Sequence, residues 1–393
     1  MPAVQPEILV WARETAGFDR ADAAEALGLK SARGQTGERR LAALEGGTVA
    51  PSTALLTRMA KLYRRPLIAF YLPAPPRKGD RGEDFRRMPG SPAPDFDPNL
   101  DALIRSVRSR HDLLVSVLED EEAPRRTFVG LANLSDSPEA TAQSIRAVIG
   151  FNLSTFRQAS DPGAAFSYLR NRLEAAGIFV LLIGDLGSHH SKIGAQTFRG
   201  YSLAHPIAPL VVINDNDARP AWSFTALHET VHIWLGQSGV SGGAHANRIE
   251  QYCNDVAGRL LIPTEDISLL DHLRGQSLEA VLAAVAPFAD DRNVSRAMVI
   301  YQLLRARIID DRLYSRLAAR LRADFEASRI REPRGEDEGG PNYYVVKRHR
   351  LGNALLSLAH RALQEGNLTP TKAAQLLAVK PVTVSSLLDR NPA

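Results

Sequence analysis

Apolar residues in the first part of the chain recur every three to four positions, the spacing of one helix face. Ile8, Leu9, Ala12 and Ala16 form such a stripe, and Gly17 is placed to end it. Asp19 opens a second segment, Ala21 to Gly28, whose small residues allow close helix approach. A polar stretch, Lys30 to Gly37, leads into a helix over Glu38–Glu45 that Gly46 and Gly47 close. Pro51 and Ser52 precede a helical run through Tyr63, and Pro66 begins a short apolar piece ending near Leu72. The pattern predicts a compact bundle of the helix-turn-helix kind over residues 1–72, although Lys30 to Gly37 is longer than a tight turn needs.

Residues 73–98 are rich in Pro and Gly and read as a linker, within which Asp84-Phe85-Arg86-Arg87 is a possible docking element. Beyond it the pattern is mixed over 99–331. Leu103, Val107, Leu114, Val117 and Leu118 predict an amphipathic helix from Leu100 to Glu122. Ala164–Ala176, Trp222–Leu235 and Asn247–Leu261 predict helices, whereas Gly177–Ile183 and Leu210–Ile213 predict strands. Residues 332–341 form an acidic, Gly-rich second linker, and 342–393 again read as helices. Within that tail, Leu368–Leu388 has the outline helix, turn at Lys380-Pro381, helix. The expected fold class is therefore mostly α with a small sheet (α+β).

Composition narrows the function. The 393 residues carry 48 Lys plus Arg against 44 Asp plus Glu, a net charge of +4 that does not by itself imply nucleic-acid binding. The tail is more basic, with Lys347, Arg348, Arg350, Lys372 and Lys380. The single cysteine, Cys253, excludes a disulfide framework. The N-terminus has no basic region followed by an apolar one, and no apolar run approaches the roughly 18 residues of a membrane span, so a soluble, cytoplasmic protein without a membrane partner is expected.

The sharpest chemical signal is His228-Glu229-Thr230-Val231-His232. Histidines four apart on a helix share a face, so both imidazoles can reach one Zn²⁺, and Glu229 beside them is placed to act as a general base. Leu227, Val231 and Leu235 supply an apolar face, and Gly236 closes the helix. A third protein ligand is required; Glu250, near the start of the next helix, is preferred to His245, which follows Ser241-Gly242-Gly243-Ala244. One Zn²⁺ per chain is the expected cofactor, with Mn²⁺ or Fe²⁺ as alternatives.

Phe224-Thr225-Ala226-Leu227 ahead of this motif, Ile249-Glu250-Gln251-Tyr252-Cys253-Asn254-Asp255-Val256-Ala257 after it, and Leu260-Leu261-Ile262-Pro263 together resemble the ImmA/IrrE family of zinc metallopeptidases. Phe198-Arg199-Gly200-Tyr201 and Pro209–Asn214 are similar to its first strands, and the N-terminal bundle resembles the XRE-type helix-turn-helix often fused to such peptidases. The resemblance implies a zincin-like fold, His228, His232 and Glu250 as metal ligands, and Glu229 as the catalytic base. It also implies a protein substrate, typically a helix-turn-helix transcriptional repressor whose cleavage derepresses stress or phage-defence genes. Cys253 stands where the family usually has Ala and shares a helix face with Glu250; it is either a buried small hydrophobe or a thiol able to hold the metal inactive. Asn254 is a candidate hydrogen-bond partner of a ligand, and Tyr201 and His205 are candidates to stabilise an oxyanion. The strand Leu210–Ile213 is a candidate partner for an extended substrate.

Two function classes remain at this stage. In the first, the chain is a zinc endopeptidase whose helix-turn-helix modules bind DNA, single-stranded DNA being a candidate activator. Gln35, Thr36, Arg39 and Arg40 are the N-terminal nucleic-acid candidates; the alternative for that bundle is protein docking. In the second, the chain is a non-catalytic DNA-binding regulator or antitoxin that uses the zincin-like domain as a sensor or docking platform. The intact Glu229 favours the first, since only turnover requires it.

Overall fold

A computed structural model describes residues 4–32, 34–76, 97–187, 191–237, 244–331 and 342–389. The segment Asp84-Phe85-Arg86-Arg87, most of the first linker and all of the second lie outside these residues. The chain divides into two units: one holds the N-terminal bundle with residues 97–107 and the described part of 185–192, the other the remaining described helices and the sheet.

In the first unit, polar side chains set where helices begin. Helix α1 (Pro6–Glu14) opens on a proline; α2 (Arg20–Ala26), α3 (Gly37–Glu45) and α4 (Thr53–Leu62) are capped by Asp19, Thr36 and Ser52. Ile8, Leu9, Leu41, Leu56, Met59 and Phe70 form the interior of this bundle. Glu45, the last residue of α3, is buried, 2.6 Å from Arg13 Nε and 2.8 Å from Arg20 Nε. Its charge is thus spent on joining α1, α2 and α3. The α2–α3 connection is long, running from Leu27 through Thr36 with an isolated bridge between Ala32 and Gln35.

The long helix α5 (Pro98–Asp120) is followed by α6 (Pro138–Ile149), α7 (Leu153–Arg157) and α8 (Pro162–Ala175), which carry Ile145, Phe156, Phe166 and Leu169 into the core of the second unit. A sheet of three four-residue strands comes next: β1 (Phe179–Leu182), β2 (Gly200–Leu203) and β3 (Leu210–Ile213). Its order is β1-β3-β2, with β1 parallel and β2 antiparallel to β3. This corrects the expectation that an extended substrate pairs with Leu210–Ile213: β3 is the central strand, and both its edges are already hydrogen-bonded.

Helix α9 (Arg219–Trp234) follows β3 directly and is buried on all sides from Ala221 to Trp234. It lies among β2, β3, α8 and α10 (Ala244–Leu261), so its apolar residues are needed around the whole circumference. Trp234 stacks on Phe128 with ring centroids 4.5 Å apart and donates to Ser144 Oγ. Helices α11 (Thr264–Ser268), α12 (Leu278–Asp290), α13 (Arg296–Arg305) and α14 (Asp311–Arg331) complete the body. The architecture is α+β, mostly helical with one small sheet. Among the described residues, no helix is long and apolar enough to cross a membrane.

Four more helices end the described chain: α15 (Tyr343–Leu351), α16 (Asn353–Gln364), α17 (Pro370–Leu377) and α18 (Val384–Leu388). They belong to the second unit and are tied to the sheet side of the body. Arg170 of α8 donates to the carbonyls of Val180 and His349, and Arg350 pairs with Asp215 at 2.6 Å. The Glu174 carboxylate accepts from the amides of Asn353 and Ala354, both at 3.0 Å, satisfying the start of α16. Gly352 is required between the two helices because its φ is +80° and a Cβ would overlap Glu174 and Arg170.

Candidate metal centre

Helix α9 places His228, Glu229 and His232 in the interior, with the side chains of the two histidines one above the other. The approach of β2 to this helix depends on Gly200, where a Cβ would meet Thr225 Cγ2 at 2.6 Å and Glu229 Cγ at 3.2 Å. Ser202, two residues along and on the same strand face, donates from Oγ to Glu229 Oε2 at 3.1 Å. No motif marks Ser202 in the sequence; its role comes from the register of β2 on β3.

Helix α10 supplies the opposite wall. His228 Nε2 and His232 Nε2 are 3.2 Å apart, and the Glu250 carboxylate spans both, Oε2 lying 3.3 Å from the first and Oε1 3.1 Å from the second. Asn254 Oδ1 is 3.0 Å from His228 Nδ1. An amide oxygen only accepts, so Nδ1 carries a hydrogen, and Nε2 is the ring nitrogen that faces the cluster. Asn254 is in turn hydrogen-bonded to Tyr301 of α13, a residue the sequence reading did not single out. Cys253 is fully buried, and its sulfur and one nitrogen from each histidine lie within 4.8 Å of one another.

The charges of this cluster act on one another. Burial alone would raise the Glu250 carboxyl, but His228 and His232 hold it far below the usual carboxylate range. Burial alone would lower the His232 ring, yet Cys253, Glu250 and Glu229 together hold it well above the ordinary imidazole value. Burial pushes the Cys253 thiol up, with His232 opposing. Carboxylates and a sulfur gathered around two imidazoles stabilise positive charge, and the donor types present suit a divalent, borderline-soft metal ion. The residues therefore fit a metal: His228, His232 and Cys253 can hold one, with Glu250 as a further donor.

The remaining candidates are placed as follows. The backbone of His245 lies in the first turn of α10, but its side chain lies outside the described residues. Tyr201 is on the strand face opposite Gly200 and Ser202, where burial pushes its phenol up and Arg108 and Arg110 of α5 oppose the shift. His205 is in the turn after β2, its Nδ1 accepting from the amides of Ile207 and Ala208, with its ring edge-on to His111. Strand alternation turns Tyr201 to the face opposite Ser202, and the turn's own amides engage His205 Nδ1. In the N-terminal bundle, Gln35 and Arg39 are exposed, Thr36 caps α3, and Arg40 donates to the Lys30 carbonyl at 2.7 Å.

An α+β body with an interior His-Glu-x-x-His helix and a carboxylate on the following helix defines a metallopeptidase-like class of site. Residues 186–304 match the family Peptidase_M78, described as the IrrE N-terminal-like domain. The matched stretch holds His228, Glu229, His232, Glu250 and Cys253. No curated protein and no solved structure matches the chain.

Proposed function

We propose that the chain is a zinc-dependent endopeptidase that cuts a partner protein, a helix-turn-helix transcriptional repressor being the substrate, and so derepresses stress or phage-defence genes. The convergence of His228, His232 and Glu250 beside a buried, hydrogen-bonded Glu229 carries this reading. His228, His232 and Glu250 would hold one zinc ion, which when bound polarises the scissile carbonyl and acidifies a water. Glu229 is the general base: Ser202 donates to its Oε2 and fixes the carboxylate beside the histidines, where it accepts a proton and returns it to the leaving amine. Asn254 keeps His228 in one tautomer and orientation. In this reading the protein works in the cytoplasm, and DNA, single-stranded DNA included, is the activating signal.

One observation favours a second reading. Cys253 adds a fourth donor beside the histidines, and four protein donors close a metal site that catalysis needs open. The chain is then a regulator without turnover, or a peptidase that its own thiol holds inactive. Both readings meet in one experiment: the zinc-loaded protein, its Glu229→Gln variant and its Cys253→Ala variant are incubated with the repressor encoded beside the gene, with and without single-stranded DNA, and products are read by intact mass. The peptidase reading expects one cut site and at least a roughly 1000-fold loss in Glu229→Gln. Cleavage seen only in Cys253→Ala makes the thiol the brake. Absence of any cut in all chains with zinc bound removes the repressor-cleaving assignment.

A further inference from the structure

Helices α16 and α17 and the turn of helix over 381–388 form a three-helix module whose outward face nothing above uses. Leu355, Leu358, Ala359, Ala373, Leu377 and Leu387 are its buried interior. The connection from α17 to the next helical turn is only Ala378-Val379-Lys380, with Ala378 in the left-handed conformation at φ 49° and ψ 53°. Such a short, sharply reversing link sets two helices at a steep angle, which is the helix-turn-helix arrangement. Val384 and Leu387 anchor the last segment, so Val382, Ser385 and Ser386 share its outer side, and Val382 is 86% exposed. On α17 the exposed residues beside them are Thr371, Lys372 and Gln375, and Lys380 is exposed at the turn.

We propose that this C-terminal face binds double-stranded DNA, with 381–388 lying in the major groove and Lys372 and Lys380 on the flanking phosphates. The charge fits: the sequence has no Asp or Glu between Glu365 and Asp389, and neither lysine has an ion pair among the described residues. The residue types fit as well, since hydroxyls contact either base edge and an exposed aliphatic side chain meets the thymine methyl. A segment of this size is roughly 12 Å long, about the width of the B-DNA major groove. A single strand is the poorer occupant. Its binding relies on aromatic stacking platforms, and the sequence has no Phe, Tyr or Trp from Leu351 to Ala393. The inference rests on the DNA part of the proposed function and narrows it to one face and one form of DNA; a binding measurement tests it whether or not the metal centre turns over.

The experiment uses the full chain and a fluorescein-labelled duplex of about 30 base pairs of mixed sequence, with the labelled single strand beside it, read by anisotropy across a salt series. The expected result is tighter binding of the duplex than of the single strand. In Lys372→Glu/Lys380→Glu the duplex affinity falls at least tenfold and the salt slope drops by about 2. Arg316→Glu/Arg320→Glu, exposed on α14 and equal in charge change, leaves the affinity within about twofold. Thermal unfolding confirms that the variants remain folded, as their exposed positions require. The proposal is overturned if the unaltered chain binds no duplex, if it prefers the single strand, if the Lys372/Lys380 variant binds as the unaltered chain does, or if the α14 variant loses as much.

Discussion

The helical groups at the two ends of the chain have similar outlines in the sequence but distribute their charges differently. In the N-terminal bundle, Arg13 and Glu45 form an ion pair with both side chains nearly inaccessible, and Arg20 joins it from α2. In the C-terminal group the charged ties run outward from the module to the sheet side of the body, through Arg350 to Asp215 and from the α16 amides to Glu174. The first arrangement makes a bundle whose integrity depends on its own interior charge. The second leaves the module's interior wholly apolar and spends polar groups on anchoring it. A helix-turn-helix outline thus says little about use; the length of the link and the destination of the charges say more.

The sharpest way to break this contrast is Glu45→Ala. Removing the carboxylate leaves the buried Arg13 with only the Phe18 carbonyl and the exposed Glu14, at a cost of about 3 kcal/mol. In a bundle of this size each 1 kcal/mol lowers Tm by roughly 4–8 °C, so the expected fall is large. Hydrogen exchange followed by mass spectrometry is expected to show the loss of protection confined to α1–α4, with α15–α18 unchanged. Equal loss of protection in both groups would show that the interior pair does not act locally.

What was legible in the sequence was periodic or motif-bound. Helices α9 and α10 and strand β3 are readable from local spacing, and His228, Glu229, His232 and Glu250 from chemistry attached to it. What depended on partners far away in sequence was not. That Glu45 is interior follows from Arg13, 32 residues earlier. That β3 is central follows from its pairing with β2: Gly-Tyr-Ser-Leu alternates as a strand does, but four residues do not say which strand it joins or on which side. Ser202 reaches Glu229 only through that pairing, and the same alternation turns Tyr201 to the other face. Gly352, which no motif marks in the sequence, is needed because two helices meet there over a buried carboxylate.

That junction supplies the next test. Gly352→Ala places a Cβ at φ +80° and against the Glu174–Arg170 pair and the Val180 carbonyl, a combination expected to cost about 1–3 kcal/mol. The effect is expected as lost amide protection at the start of α16, where Glu174 caps the helix, while α1–α4 keep theirs.

The smallest effect separates two ways of anchoring the module. Arg350 and Asp215 are 2.6 Å apart, but the arginine side chain is 31% exposed, so solvent screens the pair. Arg350→Ala is therefore expected to cost about 1 kcal/mol or less. The backbone fit at Gly352, by contrast, has no solvent to relieve it. If the two variants are compared by protection of α16, Gly352→Ala should lose more than Arg350→Ala by a clear margin. The reverse order would mean that charge rather than backbone geometry holds the module to the body. Its attachment would then weaken as salt rises, over the same range in which the proposed DNA contacts weaken.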